Sequence, residues 1–388
     1  MKSIKPRLLI FIEWFTPAYK AGGPIRAIEN LSTFGYSLFD IYIFTGDHDL
    51  GDHSPLQNVT LNKWTLVQNE YNVFFADRSM QQSKSIASVI MDLKPDTIYL
   101  NSMYAIRFSL RPLLTILRLP LRPKIVLAPR GMLKDSALKF KWLKKRIFLS
   151  LLKSTRILNQ VLFHATDDQE NQDIQKKLNI SAANIRTVPD VPISPEYSLP
   201  THKESGSAVF IFVGRIHPIK GLDFILELLP NVKGEIELKV VGWAEDMVYY
   251  KSCIRMINSL PVSVTVSMLG DLPFTEVIKE IQSSHFLLSP THGENFGHAI
   301  YEAMSVGRPV IISNQTPWKK LAEMKCGWDI PLERKDLFFN AIQLCVDMTP
   351  EEYESLSTNA FQFAKQFFET SELKEKYLSL LSPNIKLN

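Results

Sequence analysis

Two carboxylates with seven residues between them, Glu294 and Glu302, stand in the stretch Ser289-Pro290-Thr291-His292-Gly293-Glu294-Asn295-Phe296-Gly297-His298-Ala299-Ile300-Tyr301-Glu302-Ala303-Met304. The apolar run His285-Phe286-Leu287-Leu288 ahead of it has the length of a buried strand. Behind it, Ala299, Ile300, Ala303 and Met304 recur at helical spacing, and Ser305-Val306-Gly307-Arg308-Pro309 supplies a stop. A helix is therefore expected to open near Gly297. Its first N–H groups, from about Phe296 to Ala299, and the positive end of its dipole suit a phosphate. A carboxylate repels an anion, so the glutamates call for a different partner. Sugar hydroxyls fit, since one carboxylate accepts two hydroxyl hydrogen bonds and two carboxylates can hold two rings. The plain alternative makes Glu294 a helix cap and places Glu302 on a solvated face.

This stretch resembles the Glu-x7-Glu signature of glycosyltransferase family 4, retaining nucleotide-sugar transferases of the GT-B fold. The resemblance implies that Glu294 contacts hydroxyls of the transferred sugar, that Glu302 contacts the ribose, and that backbone N–H groups of Asn295-Phe296-Gly297 meet the sugar or diphosphate. A second stretch, Gly214-Arg215-Ile216-His217-Pro218-Ile219-Lys220-Gly221, follows the apolar run Ala208 to Val213 and is similar to the family's Gly-Arg and Lys-Gly pair. Arg215 and Lys220 would then neutralise the diphosphate that departs as the donor's glycosidic bond breaks. A solvated basic corner is the competing reading, and His217 reads as incidental. Leu269-Gly270-Asp271-Leu272 resembles the step that reads the nucleotide base, and Ser313-Asn314-Gln315-Thr316-Pro317-Trp318 is placed to close the nucleotide pocket.

The elements that must position these residues are α/β in rhythm. Apolar runs at Leu8 to Ile12, Ile41 to Phe44, Val73 to Phe75, Thr97 to Leu100, Lys124 to Leu127 and Val161 to Phe163 alternate with longer mixed segments. A second series runs through Ala208 to Val213, Ile236 to Val241, Val264 to Met268, His285 to Leu288 and Pro309 to Ile312. Between them, Pro189, Pro192, Pro195 and Pro200 with Thr201 to Ser207 read as a linker. The expectation is two Rossmann-like parallel-sheet domains, residues 1–200 on the acceptor side and 207–365 on the nucleotide-sugar side. The resemblance adds a central cleft and a C-terminal helix, about 366–388, that crosses back to the first domain. Thr349 to Leu381 reads as two helices.

In the first half, Gly22-Gly23-Pro24 follows the first strand and opens a helix marked by Ile25, Ile28 and Leu31. A turn is the ordinary reading of such glycines; Gly22 and Gly23 also look like the family's loop that approaches the donor diphosphate. Lys20 and Arg26 flank it, either solvated or facing a phosphate or acidic acceptor. Asn101-Ser102-Met103-Tyr104 places polar atoms at a strand end, where an acceptor could be held. Many relatives have a histidine where this chain has Arg130, whose guanidinium would instead clamp a phosphate or an anionic acceptor. His164 reads as structural, with Thr166 or Asp167 capping the next helix.

At 388 residues the chain exceeds one ordinary core. No stretch approaches the length of a spanning helix, and the run after Arg7 is too short for a signal-peptide core. Three scattered cysteines, Cys253, Cys326 and Cys345, fit a reducing compartment and neither zinc nor a disulfide framework, so the cytoplasm is expected. The net charge of +4 hides an asymmetry: residues 1–200 carry 26 Lys and Arg against 17 Asp and Glu, the rest 18 against 23. Most of the excess lies between residues 101 and 150, with 12 basic and one acidic side chain, and the segment Lys134 to Leu158 reads either as a basic amphipathic helix resting on an anionic membrane or as a domain helix with a solvated face. Zinc-finger spacing, an RNA-recognition motif and interleaved aromatics are all missing, so nucleic acid is not an expected partner.

The reading that unites these features is a metal-independent, retaining hexosyltransferase-type enzyme. It would move a sugar from a UDP- or GDP-linked donor to a hydroxyl of a lipid-linked glycan in bacterial lipopolysaccharide, O-antigen or exopolysaccharide assembly. No resident cofactor is expected, since Arg215, Lys220 and a helix end take the place of a cation. A nucleotide-sugar epimerase of the same architecture and a non-catalytic nucleotide-sugar or glycan-binding subunit remain alternatives. A Rossmann dehydrogenase is disfavoured because neither domain's first strand is followed by Gly-x-Gly-x-x-Gly.

Overall fold

The structure, a computed structural model, describes residues 5–134, 149, 152, 153, 155 and 157–383. The chain divides into two compact units, Met1–Val191 with Glu372–Asn388, and Pro192–Ser371. The expected amphipathic helix Lys134 to Leu158 lies almost entirely outside the described residues.

The first unit is built on an eight-stranded sheet. Its strands are β1 (Arg7–Phe11), β2 (Asp40–Gly46), β3 (Trp64–Val67), β4 (Tyr71–Ala76), β5 (Thr97–Asn101), β6 (Lys124–Ala128), β7 (Leu162–Ala165) and β8 (Ile185–Thr187), in the order β3-β4-β2-β1-β5-β6-β7-β8. All pairings are parallel except β3 with β4, a short antiparallel edge. Helices cover both faces of a parallel sheet, which is why Leu8 to Phe11 of β1 and all of β5 are buried. In register, Phe11 faces Phe44 on one side and Leu100 on the other, so the loops leaving β1, β2 and β5 share one edge. The sheet order reverses between β1 and β5, the kind of switch point where such sheets bind ligands.

The second unit has six strands, all parallel: β9 (Ser207–Val213), β10 (Glu235–Val241), β11 (Val264–Gly270), β12 (Phe286–Ser289), β13 (Val310–Ser313) and β14 (Gly327–Ile330), in the order β11-β10-β9-β12-β13-β14. Its switch point lies between β9 and β12. The loops that follow these two strands are Gly214 to Gly221 and Pro290 to Gly297, the stretches singled out by sequence.

The units meet within the proline-rich segment, at Val191/Pro192, earlier than residue 200. The reason is that residues after Pro192 are bound to the second unit. Buried Arg308 donates to the carbonyls of Ser198 and Leu199, Tyr197 packs on Phe361 at 5.1 Å, and Lys203 donates to the carbonyls of Val346 and Met348. At the other end, Pro350–Thr370 is one uninterrupted helix started by a capping box of Thr349 and Glu352, and it buries Tyr353, Ser357, Ala360 and Ala364 in the second unit. The return to the first unit therefore begins at Glu372 rather than near 366. The last helix, Leu373–Leu381, buries Leu373, Tyr377, Leu380 and Leu381 against the first unit's core, and its Leu381 carbonyl accepts from Thr97 Oγ1 at 2.8 Å.

Candidate functional site

The two loops at the switch point of the second unit are stitched together by backbone. Thr291 Oγ1 and the His292 N–H both donate to the Ile219 carbonyl, at 3.1 and 2.8 Å. Gly221 sits at the seam with φ 72°, and a Cβ there would stand 2.5 Å from the Pro290 carbonyl oxygen, so only glycine permits this approach. His217 accepts the Ile219 N–H at 3.2 Å and caps the turn Pro218–Lys220, a structural task for a residue that sequence made incidental.

The seam brings Lys220 and Glu294 into a direct ion pair, both side chains less than one-fifth exposed. The lysine stem lies over Gly214. Gly214 does not offer its amide to a ligand, because its N–H donates to the Val241 carbonyl at 2.9 Å. Arg215 stands at the rim, more exposed, and pairs with Glu245 at 2.6 Å. Sequence reading missed Glu245; the signal was an acid three residues after Gly242, at the end of the neighbouring strand β10.

Beyond Glu294 the loop turns at Gly297, φ 77°, into the helix His298–Ser305, one residue from the expected start. Ile300 and Tyr301 are the first residues whose N–H groups close back on the Gly297 carbonyl, so the amides ahead of them form the helix's open end. Asn295 carries its Oδ1 buried and without a hydrogen-bond donor among the described residues. The Phe296 side chain takes no part in a ligand surface: it is buried among Trp318, His298, Tyr301 and Phe367, and its carbonyl accepts from Trp318 Nε1 at 2.7 Å. Glu302 is only 5 % exposed, on a helix whose neighbours Ile300, Tyr301, Ala303 and Met304 are core. A solvated face is therefore excluded for it.

The segment Ser313 to Trp318 braces this loop. Ser313 Oγ donates to the Thr291 carbonyl, and the Gln315 carbonyl accepts the Glu294 N–H at 3.1 Å. Together these contacts hold a cation, a carboxylate, an amide oxygen and a helix N-terminus at the carboxyl edge of one sheet. That set of groups can neutralise a phosphate and grip hydroxyls.

In the first unit the charged and amide candidates are engaged with protein partners, while the glycines open a helix. Gly22 caps the helix Gly23–Gly35 with φ 65°, and Gly23 and Pro24 form its first turn. Lys20 pairs with Asp52 and Arg26 with Glu29, while Asp49 accepts the Tyr19 N–H at 2.9 Å, tying the glycine loop to the loop after β2. Arg130 is no exposed clamp. Its side chain is 4 % exposed and bonded to Asp190, to Asn101 Oδ1 at 2.7 Å and to Tyr99 OH at 2.9 Å. This also commits Asn101, which sequence offered to an acceptor. His164 completes the network, one ring nitrogen on Tyr99 OH at 2.7 Å and the other on the Val188 carbonyl at 2.8 Å; burial pushes its pKa down to about 4, with Arg130 adding to the effect. Asp167 caps the helix Asp168–Leu178 through the Glu170 N–H.

Among the described residues, no group of three or more His, Cys, Asp or Glu side chains is placed to hold a metal ion, and no helix is long and apolar enough to cross a membrane. Cys253, Cys326 and Cys345 are buried free thiols.

Residues 195–363 match the family described as Glycosyl transferases group 1. A D-inositol 3-phosphate glycosyltransferase of Segniliparus rotundus is 32% identical over 107 residues, which is 26% of this chain and 24% of the relative. The matched stretches span less than half the length of the curated relatives. Over whole chains, the Anabaena HepE structure in complex with UDP and glucose aligns with TM-score 0.70 and 16% identity, covering 97% of this chain and 100% of that one. The apo lipopolysaccharide outer core galactosyltransferase WaaB aligns with TM-score 0.60 and 16% identity, covering 97% and 99%. These likenesses show a GT-B fold, and with the family match they support a group 1 glycosyltransferase.

Proposed function

We propose that this protein is a retaining glycosyltransferase of family 4. It moves a sugar from a nucleoside-diphosphate donor to a hydroxyl of a glycan acceptor, without a metal ion. The observation that carries the reading is the Lys220–Glu294 pair, held at the seam of two loops beside the open end of the helix His298–Ser305. In the proposed complex Lys220 and the helix amides neutralise the diphosphate as it departs, Arg215 supports them from the rim, and Glu294 grips hydroxyls of the sugar being transferred. Asn295 Oδ1 accepts a further hydroxyl, and buried Glu302 takes the ribose. The UDP and glucose named with the Anabaena relative favour a uridine-linked hexose donor. The galactosyltransferase named among the structural relatives favours a lipopolysaccharide or related glycan as acceptor, with assembly at the cytoplasmic face of the membrane.

The test is to incubate the protein with a panel of nucleotide sugars, record which one raises its melting temperature, and follow release of nucleoside diphosphate on addition of glycan acceptors. One donor that protects and is consumed only when acceptor is present supports the proposal. Protection without turnover on any acceptor points instead to a binding subunit, and no protection by any donor removes the reading.

A further inference from the structure

In the second unit the loops after β9 and β10 lie side by side, and their joint places a carboxylate, Glu245, that the proposed transfer does not use. The Gly214 N–H donates to the Val241 carbonyl and the Ile216 N–H to the Trp243 carbonyl, both at 2.9 Å, so the pairing of β9 with β10 runs on past the strand ends. Gly242 permits it: its φ is 143°, and a Cβ there would stand 1.9 Å from the Gly214 carbonyl oxygen. On the other side of Glu245, Asp246 caps the helix Met247–Ile257 by accepting the N–H groups of Val248 and Tyr249, both at 3.0 Å. That helix is bound in turn to the helix Leu222–Leu228, since Tyr249 OH donates to Asp223 Oδ1 at 2.6 Å. The backbone of Glu245 is therefore fixed from both directions.

Its carboxylate reaches Arg215 across the joint. Glu245 Oε2 accepts from Nη1 of the guanidinium at 2.6 Å. A guanidinium offers two donor pairs, Nη1 with Nη2 at its end and Nε with Nη2 along its side. Arg334 shows the side pair in use, with Nε on Asp336 Oδ1 at 2.9 Å and Nη2 on Oδ2 at 2.6 Å. In Arg215 neither Nε nor Nη2 has a partner among the described residues. Glu245 thus occupies one corner of the fork and leaves open the edge that matches two phosphate oxygens. The two side chains are 39 % and 32 % exposed, so a ligand can reach the pair, and a pair this open contributes little to the fold.

We propose that Glu245 is a positioning residue for the donor's diphosphate: it holds Arg215 by Nη1 so that Nε and Nη2 meet two oxygens of one phosphate. This rests on the transferase reading. A loose arginine at a rim must surrender its rotamer freedom when a ligand binds, and the contact with Glu245 meets that cost beforehand. The carboxylate's own charge opposes the diphosphate, but it stands off the open edge, and the guanidinium is the nearer charge.

Calorimetric titration of the full-length protein with UDP, GDP, ADP and dTDP tests this. For whichever nucleotide the wild type binds, Glu245→Ala is expected to weaken binding roughly tenfold. Glu245→Gln, which keeps an acceptor oxygen for Nη1, should stay within about threefold of the wild type. In an Arg215→Ala background, Glu245→Ala should make no further difference, an outcome that a merely structural role would not produce. Melting temperatures equal to the wild type's verify that the variants are folded. The proposal is overturned if Glu245→Ala binds as tightly as the wild type or more tightly, if Glu245→Gln is as weak as Glu245→Ala, or if the loss persists without Arg215. Failure of the transferase reading shows separately, as a wild type that binds none of the four nucleotides, and it takes the proposal with it.

Discussion

In the second unit, ionisable residues of three strand-end loops meet each other directly, Lys220 on Glu294 and Arg215 on Glu245, at a partly open edge. In the first unit the comparable loop residue, Arg130, is closed into a network with Asp190, Asn101, Tyr99 and His164. Both sets stand at the carboxyl edges of parallel strands, so position alone does not separate ligand chemistry from architecture. The difference is in solvent. A pair that keeps contact with solvent can exchange its partner for a ligand, whereas a sealed pair that loses one member leaves a charge in a medium that cannot solvate it.

The sharpest way to test that contrast is to break one pair in each unit. Asp190→Ala strands the buried guanidinium and should lower stability by about 3–5 kcal/mol, read as a drop in the denaturant midpoint. An unchanged midpoint would mean that the network is not structural. Lys220→Met should do the reverse, leaving the midpoint nearly unchanged while transfer falls by roughly 10²–10³. A variant that loses stability and not turnover would move Lys220 into the architectural class.

Acid provides a milder probe of both units at once. His164 in the first and His285 in the second are buried and held near pKa 4, against 6.5 for the free side chain, and in both cases desolvation is the largest cause. The unfolded chain therefore binds protons that the folded protein refuses. Stability should be complete above pH about 6.5 and decline as pH falls toward 4, by on the order of 3 kcal/mol for each histidine. Melting temperatures measured across that range, with His164→Gln and His285→Gln each flattening part of the slope, check it. The smallest effect is expected of Lys20→Ala, which removes a partly exposed pair with Asp52: at most about 1 kcal/mol of stability, and no loss of donor protection if the loop's glycines rather than its lysine matter. A large loss of protection would return Lys20 to the binding surface.

Strands buried on both faces were legible because they are continuous apolar runs, and the eleven expected runs all form strands. The three that escaped notice lack that mark. β3, Trp64–Val67, is a half-exposed edge; β8 has three residues; β14 contains Gly327 and Asp329. The same logic governs the sites. Gly214 to Gly221 and Ser289 to Pro309 each carry their pattern within one loop and one element, so sequence pointed to both. The fate of Arg130 depended on Asp190, sixty residues later, and no local pattern reports such a partner. Most of the run Gly46-Asp47-His48-Asp49-Leu50-Gly51-Asp52-His53 walls a cavity of the first unit, and nothing local in the sequence distinguishes such a wall from a solvated loop.

The most direct measurement of the central claim is calorimetric titration of wild type, Lys220→Met and Glu294→Gln with the donor that protects the protein, and with its bare nucleoside diphosphate. Lys220→Met is predicted to weaken both ligands, and Glu294→Gln to weaken the intact donor while leaving the bare nucleotide's affinity unchanged. If Glu294→Gln binds the intact donor as tightly as wild type, or if Lys220→Met binds both ligands unaltered, the pair is not the grip on sugar and diphosphate that this account makes it.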